Sequence, residues 1–431
     1  MKKPLVTVLF LAALTLSTVA QEKLTLQQAI QTALEKNIDV IRARNTSQIQ
    51  NANVTAAYGN FIPSLSANAS WGRNGTTAPV TSASGSVGAG LSMGLTIFDG
   101  FRNTSTLSSA SASADAANYN YEKMKQDIVL TVQQAYLTVL RNKQLLAVSE
   151  DNLKRSKQQL SRIEESNKVG AVAKADLYRQ QVQTANDELA LISAQSNFDN
   201  SKADLLYLIS SDVTKEYTFD DESVDLQIVQ LQFDSLQQEK AEYNKLIEEA
   251  LQARPDYQSS IMARNIAQSN LTIARSGHYP TLGLNGGYGY GGDDFSTLTD
   301  TKSWNIGLKL SLPIFSGFQT STQVQTSELN LELADQSLEQ AKRKVAKDIK
   351  TALLSLETAH KRYEVSLKNV VSAAEDRRIA EERYNLGSNT LLDLLVATAN
   401  YTQAQSDKVN ASYDFVYAKQ QFRIVVGRDK Y

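Results

Sequence analysis

The chain has 431 residues, with 44 basic and 46 acidic side chains, two histidines, six prolines and no cysteine. Its near-neutral balance, without clustered Lys and Arg, excludes a nucleic-acid surface, which counterion release would reward with a basic patch. The lack of cysteine excludes disulfides, Cys-held metals, thiol chemistry and the residue that carries a bacterial lipoprotein anchor.

Residues 1–20, MKKPLVTVLFLAALTLSTVA, read as a secretory signal peptide. Lys2 and Lys3 precede an apolar run from Leu5 to Leu14, and Thr18 and Ala20 stand at the cleavage positions. The mature chain is expected to begin near Gln21 and to leave the cytoplasm. No later window approaches the eighteen apolar residues of a spanning helix, so a membrane crossing would have to use strands.

An offset of 217 residues aligns the chain with itself: Ala33 and Leu34 with Ala250 and Leu251, Asp39 with Asp256, Ala57 with Ala274, Pro63 with Pro280, Phe98 with Phe315, and Gly100 with Gly317. The expected organisation is a first structural repeat over 21–220, a linker over 208–242 and a second repeat over 243–431. Each repeat reads in one order. A helix (about 25–59, then 243–277) ends near a proline, two glycine-rich strands follow, and a very long helix (102–168, then 319–386) leads through a glycine turn to a return helix (172–207, then 391–425). The long helix would span roughly 100 Å, which suits coiled-coil packing in an elongated molecule and not a single globular core.

Strands are expected over about 64–72, 86–98, 281–290 and 303–315. Between Val87 and Ile97 the odd positions are apolar and the even ones are Ser, Gly or Thr; between Trp304 and Ile314 the even positions are apolar. Such alternation marks strands with one apolar face and one small or polar face, long enough to cross a bilayer obliquely. Four strands do not close a barrel, and open edges in hydrocarbon are too costly, so membrane strands would require several chains to close one barrel. The polar segments 72–85 and 291–303 read as loops outside the membrane. Two other readings remain at this point: a soluble sandwich decorated with helices, and a structural or adhesive coiled-coil surface protein. His278 and His360 are isolated, and neither a nucleophile motif nor a phosphate loop is present, so no enzyme and no cofactor is expected.

The glycine turns are KVGAVAKADL at 168–177 and NLGSNTLLDL at 385–394. Gly170 and Gly387 suit the left-handed C-cap of a helix, and Asp176 and Asp393 fall in the first turn of the next one, where a carboxylate is stabilising.

These residues resemble the outer membrane efflux protein family, the TolC-like exit ducts of Gram-negative bacteria, over nearly the whole mature chain. The resemblance rests on ALEKN at 33–37 followed by Asp39, PSL at 63–65 and PTL at 280–282, IFDGF at 97–101 and IFSGF at 314–318, and YNLGSNTLLDLLVATANY at 384–401. It implies a mixed α/β homotrimer in which four strands per chain build a twelve-stranded outer membrane β-barrel, continuous with a long periplasmic α-helical barrel. It implies a passive duct of a tripartite efflux or type I secretion system. The implied partners are outer membrane lipid, a periplasmic membrane-fusion adaptor, and an inner-membrane efflux pump or ABC exporter. The linker would contribute to an equatorial collar.

By the same resemblance the periplasmic entrance involves Asp176, Asp393 and Tyr384. Asn389 stands where the family has an arginine, and Val396 where it has a second ring aspartate, which implies a single carboxylate ring and an altered latch. The tips Val169, Gly170 and Ala171, and Leu386, Gly387, Ser388, Leu391 and Leu392, would meet the adaptor.

Overall fold

The computed structural model describes residues 22–76, 82–219 and 242–428. The expected signal peptide and most of the expected linker lie outside the described residues.

Glycine and serine alternate with apolar residues in four segments, which build one antiparallel sheet in the order β2, β3, β5, β6. These are β2 (Ser64–Thr76), β3 (Ser82–Phe98), β5 (Thr281–Gly292) and β6 (Thr301–Ser311). Their register places the apolar positions on one face. Leu65 pairs with Met93, Ala67 with Leu91 and Trp71 with Val87; Leu91 continues to Tyr288 and Trp304, and Leu95 to Leu284 and Leu308. The other face carries Ser66 paired with Ser92, Asn68 with Gly90, and Asn285 with Gly307.

Two corrections apply to the strands. β6 stops at Ser311, short of the expected 315, because Pro313 has no N–H to donate to a ladder. Strict alternation also fails at the end of β3. A register shift between Thr96 and Phe98 pairs Phe98 with Leu282, which carries Phe98 onto the apolar face. The strands otherwise run further into the expected outer segments, to Thr76 and Gly292 and from Ser82 and Thr301.

Strand turns to helix through a repeated device. Gly100 and Phe101, then Gly317 and Phe318, adopt left-handed φ of 70°, 69°, 59° and 66°. Asp99 thereby accepts the Asn103 N–H at 2.9 Å, and Ser316 accepts the Thr320 N–H at 3.3 Å, so each long helix is capped from outside. These helices are α3 (Arg102–Lys168) and α7 (Gln319–Asn385), each 67 residues.

Beside each lie two shorter helices in line. α2 (Ile38–Gly59) meets the end of α4 (Lys174–Leu208), and α6 (Pro255–Ser276) meets the end of α8 (Leu391–Val426). The helices expected over 25–59 and 243–277 are each broken here into two, α1 (Leu26–Lys36) before α2 and α5 (Tyr243–Ala253) before α6. Asn37 and Arg254 leave helical geometry at the breaks, with ψ of 130° and 121°.

At the first joint the Asn37 side chain donates to the Leu208 carbonyl at 3.0 Å and accepts the Asp39 N–H, closing one helix and opening another. At the second, Arg254 reaches the Val425 carbonyl at 3.5 Å and pairs with Asp256 at 2.7 Å and Asp348 at 3.1 Å. Burial pulls the Arg254 pKa down, but the hydrogen bonds and charges of Asp256 and Asp348 outweigh it and hold the guanidinium above its ordinary value. Burial likewise raises Asp256, and Arg254 more than reverses that.

The packed interior sits around these joints. Tyr136, Leu140, Val132 and Leu205 form one cluster, and Ile349, Leu353, Phe415 and Phe422 form its counterpart. A short parallel pair, β1 (Glu22–Leu24) with β4 (Tyr217–Phe219), covers the first. The Tyr136 hydroxyl donates to the Leu24 carbonyl at 2.9 Å, which ties the N-terminal strand to the middle of α3. Near the sheet the helices lie in the order α2, α3, α6, α7, and near the tips in the order α4, α3, α8, α7. One side of the protein is therefore β2, α2 and α4, and the other is β6 and α7.

Candidate functional site

The tips are built by two similar turns. Gly170 (φ 79°) donates to the Asn167 carbonyl at 3.0 Å and Ala171 to Ser166 at 2.8 Å; Gly387 (φ 71°) donates to Tyr384 at 2.9 Å and Ser388 to Arg383 at 2.9 Å. Both are Schellman closures, which need a left-handed residue and so favour glycine. The preceding residues, Val169 and Leu386, are 80% and 82% exposed at the extremity of the molecule. Leu391 is buried against the hairpin, whereas Leu392 and Val396 face outward.

The returning helices start differently. In α8, Thr390 and Asp393 form a capping box: the Thr390 hydroxyl accepts the Asp393 N–H at 3.3 Å, and the Asp393 carboxylate accepts the Thr390 N–H at 3.1 Å and its O–H at 2.6 Å. Those bonds from the Thr390 hydroxyl and then its N–H hold the Asp393 carboxyl below its usual range, although it is fully exposed. In α4, Ala173 offers no side-chain cap, and Asp176 pairs with Arg179 at 3.3 Å. Tyr384 packs on Ala380, Leu394 and Ala397 at the α7–α8 contact. Burial, and then the charge of Asp176, raise the Tyr384 hydroxyl pKa, so these two side chains from different hairpins share one electrostatic environment. Asn389 is half-buried in the second turn.

Above the tips the two hairpins are joined by residues that sequence reasoning missed. The ring of Tyr401 on α8 lies between Arg155 of α3, at 5.7 Å, and Arg377 of α7, at 5.2 Å. Arg162 pairs with Glu381 at 3.5 Å, which Arg377 also meets at 3.2 Å. Asn152 links Asp187 of α4 to Thr402 of α8. All of these but Tyr401 line a cavity of about 310 Å³ between the four helices. No short-range pattern announces this cluster, because its members come from four helices far apart in sequence. Among the described residues no group of three or more His, Cys, Asp or Glu is arranged to hold a metal ion.

The profile of the outer membrane efflux protein family matches residues 29–210 and 246–428. Outer membrane protein TolC of Vibrio cholerae is 25% identical over 327 residues, covering 75% of this chain and 72% of that protein. Outer membrane protein TolC of Escherichia coli is 23% identical over 367 residues, covering 82% and 71%. Among solved structures, the Campylobacter jejuni CmeC outer membrane channel superposes with a TM-score of 0.81 at 22% identity, covering 93% of this chain and 85% of that one. The outer membrane protein VceC of Vibrio cholerae gives 0.80 at 18% identity, covering 93% and 96%. An amphipathic sheet carried on long paired helices, with both halves of the chain matched by one family, makes this protein a member of the outer membrane efflux protein family, an outer-membrane channel that extends into the periplasm.

Proposed function

We propose that three copies close head to tail into one tube, twelve strands in the membrane above a helical barrel, and that this tube is the exit duct of a tripartite efflux or type I secretion system. The observation that carries the reading is the pair of open edges. β2 and β6 end the sheet on opposite sides with unpaired backbone groups, which hydrocarbon does not tolerate. The four strands alternate in direction, so β6 of one copy meets β2 of the next in the same antiparallel sense. A contact between two different edges makes a ring when the rotation closes.

The ladder also supports a tilted barrel. Trp71 stands on β2 four residues beyond Ala67, the position level with Trp304 through Leu91 and Tyr288. Across three spacings of about 4.8 Å, a tilt near 40° shifts level positions by roughly 12 Å, or about four residues. Both tryptophans then lie at one depth, as an aromatic girdle requires. The helical edges agree: Tyr178, Val182, Leu189 and Ile192 leave an apolar stripe open on α4, and Leu329, Leu333, Leu354 and Val365 leave one on α7.

In this tube the tips form the periplasmic entrance. Three Asp393 carboxylates, kept ionised by their capping boxes, make a single ring, and Val396 supplies no second one. Tyr384 packs the second hairpin within reach of the Asp176 charge on the first, with Asn389 in place of an ionic latch. Exposed Val169, Leu386 and Leu392, with Gly170, Ala171, Gly387 and Ser388 leaving room between them, offer a periplasmic adaptor small apolar knobs. The adaptor in turn joins the duct to an inner-membrane pump or ABC exporter.

Single-channel conductance in planar bilayers tests this. Wild type is expected to conduct cations preferentially and to be blocked by divalent cations, with block weakened in Asp393→Ala. A pore whose selectivity and block ignore Asp393 would remove that residue from the lumen and return it to helix capping alone.

A further inference from the structure

The two edge strands share a detail that closing a sheet does not require. On β2, Arg73 follows Trp71 on the apolar face; on β6, Lys302 precedes Trp304 on that face. β2 runs away from the helices and β6 runs toward them, so each cation lies just beyond its tryptophan, on the side remote from the periplasm. Trp71 and Trp304 are 65% and 75% exposed, and Arg73 and Lys302 are exposed beside them. The Lys302 ammonium stands 6.0 Å from the centre of the Tyr290 ring, itself edge-on to Tyr288 at 5.5 Å. These side chains project from the face of the sheet, where they meet lipid, and not along its open edge. The middle strands bear no cation on this face at this level: Ala89 and Tyr290 lie beside Lys302, and Gly85 opposite Arg73.

Resting on the trimeric reading, we infer that each seam between copies forms a binding site for the phosphorylated headgroup of an outer-leaflet glycolipid. Arg73 of one copy and Lys302 of the next come together two residues above a level pair of tryptophans. Arginine presents a planar fork to phosphate and lysine a mobile point charge, and the indole rings pack on the sugar and upper acyl chains below. Charges placed beyond an aromatic girdle sit at phosphate depth, where each basic side chain strengthens attachment to anionic lipid. The site belongs to no single chain, so occupancy would also staple the seam.

Trp71 and Trp304 are the only tryptophans in the chain, so fluorescence excited selectively at tryptophan, and not at the 18 tyrosines, reports on this site alone. The trimer in neutral detergent is titrated with diphosphorylated lipid A, with the same lipid stripped of phosphate, and with inorganic phosphate. Diphosphorylated lipid A is expected to give a saturable blue shift. Half-saturation should rise about tenfold for the dephosphorylated lipid, and by a similar factor when Arg73→Gln and Lys302→Gln are combined in the protein. Unchanged half-saturation in the double variant would overturn the site, as would an equal response to inorganic phosphate, which would identify a free-anion site. Light scattering on the same samples separates the two readings: a monomer would reject the ring and the seam with it, whereas a trimer indifferent to the variants rejects the seam site only.

Discussion

Gly100 and Gly317 occupy equivalent turns with similar positive φ, yet their surroundings differ. A β-carbon at Gly100 would fall 2.6 Å from that of Tyr279 and 3.0 Å from the Ser276 carbonyl oxygen, whereas one at Gly317 meets nothing within 4 Å. Gly317→Ala is therefore expected to cost about 1 kcal/mol for the left-handed backbone, and Gly100→Ala roughly 1–3 kcal/mol more for overpacking. Thermal midpoints of the purified protein check the order, and equal midpoints would show that Tyr279 moves aside freely. Asp393 gives a pH prediction of the same scale. Its folded pKa lies below the unfolded value near 3.8, so its contribution to the start of α8 is present above that value and is lost as pH falls through the folded one. Hydrogen exchange at 391–394 should be faster in Asp393→Asn than in wild type at neutral pH, and the two should converge once acid has protonated the folded carboxyl. A difference that survives in acid would mean that the capping box does not depend on the charge.

At the scale of elements, the two helix joints perform one task with different chemistry. Asn37 and Arg254 are equivalent, as are their targets Leu208 and Val425, but Asp348 has Thr131 as its counterpart. Arg254→Ala strands Asp256 and Asp348 without their cation; because these carboxylates are 24% and 27% exposed, the loss falls short of about 3–5 kcal/mol, the cost of a fully buried broken pair. Arg254→Asn with Asp348→Thr copies the first joint and should recover most of that loss. Urea midpoints of the three proteins decide it, and a double variant as weak as Arg254→Ala would show that the joints are not interchangeable. The single helix expected over 243–277 passed over a signal for the second break, since Pro255 forces Arg254 out of helical geometry; the first had no such signal, because an asparagine that caps looks like any helical asparagine. Alternation revealed the two faces of the sheet but not the register shift before Phe98, which depends on pairing with Leu282. The tip turns were legible because glycine and aspartate recur at one offset, whereas the Arg155, Tyr401 and Arg377 stack exists only once three helices pack.

For the whole molecule, the long offset alignment revealed the order of elements, and an elongated shape followed from helix length alone. What it concealed is which helices form the sides. The structure leaves α4 and α7 with open apolar stripes, and a charge placed there opposes assembly without touching the interior. Val182→Asp combined with Leu189→Asp is expected to shift the proposed trimer to monomer in light scattering while circular dichroism retains its helical signal; a trimer that persists in the variant would move the contact elsewhere.

The end-to-end joints have a mechanical consequence. α3 and α7 are unbroken spars from sheet to tip, while α4 and α8 are separate struts butted against α2 and α6. A torque applied at the tips can swing a strut about its joint while the spar beside it stays straight, so the lower part of the proposed tube can change bore without stressing the membrane sheet. The first joint, held by one neutral amide, is the more compliant bearing, and the second, clamped by an arginine and two carboxylates, is the stiffer. In the proposed trimer, dilation of the tube would thus be lopsided within each subunit and repeated three times around the axis.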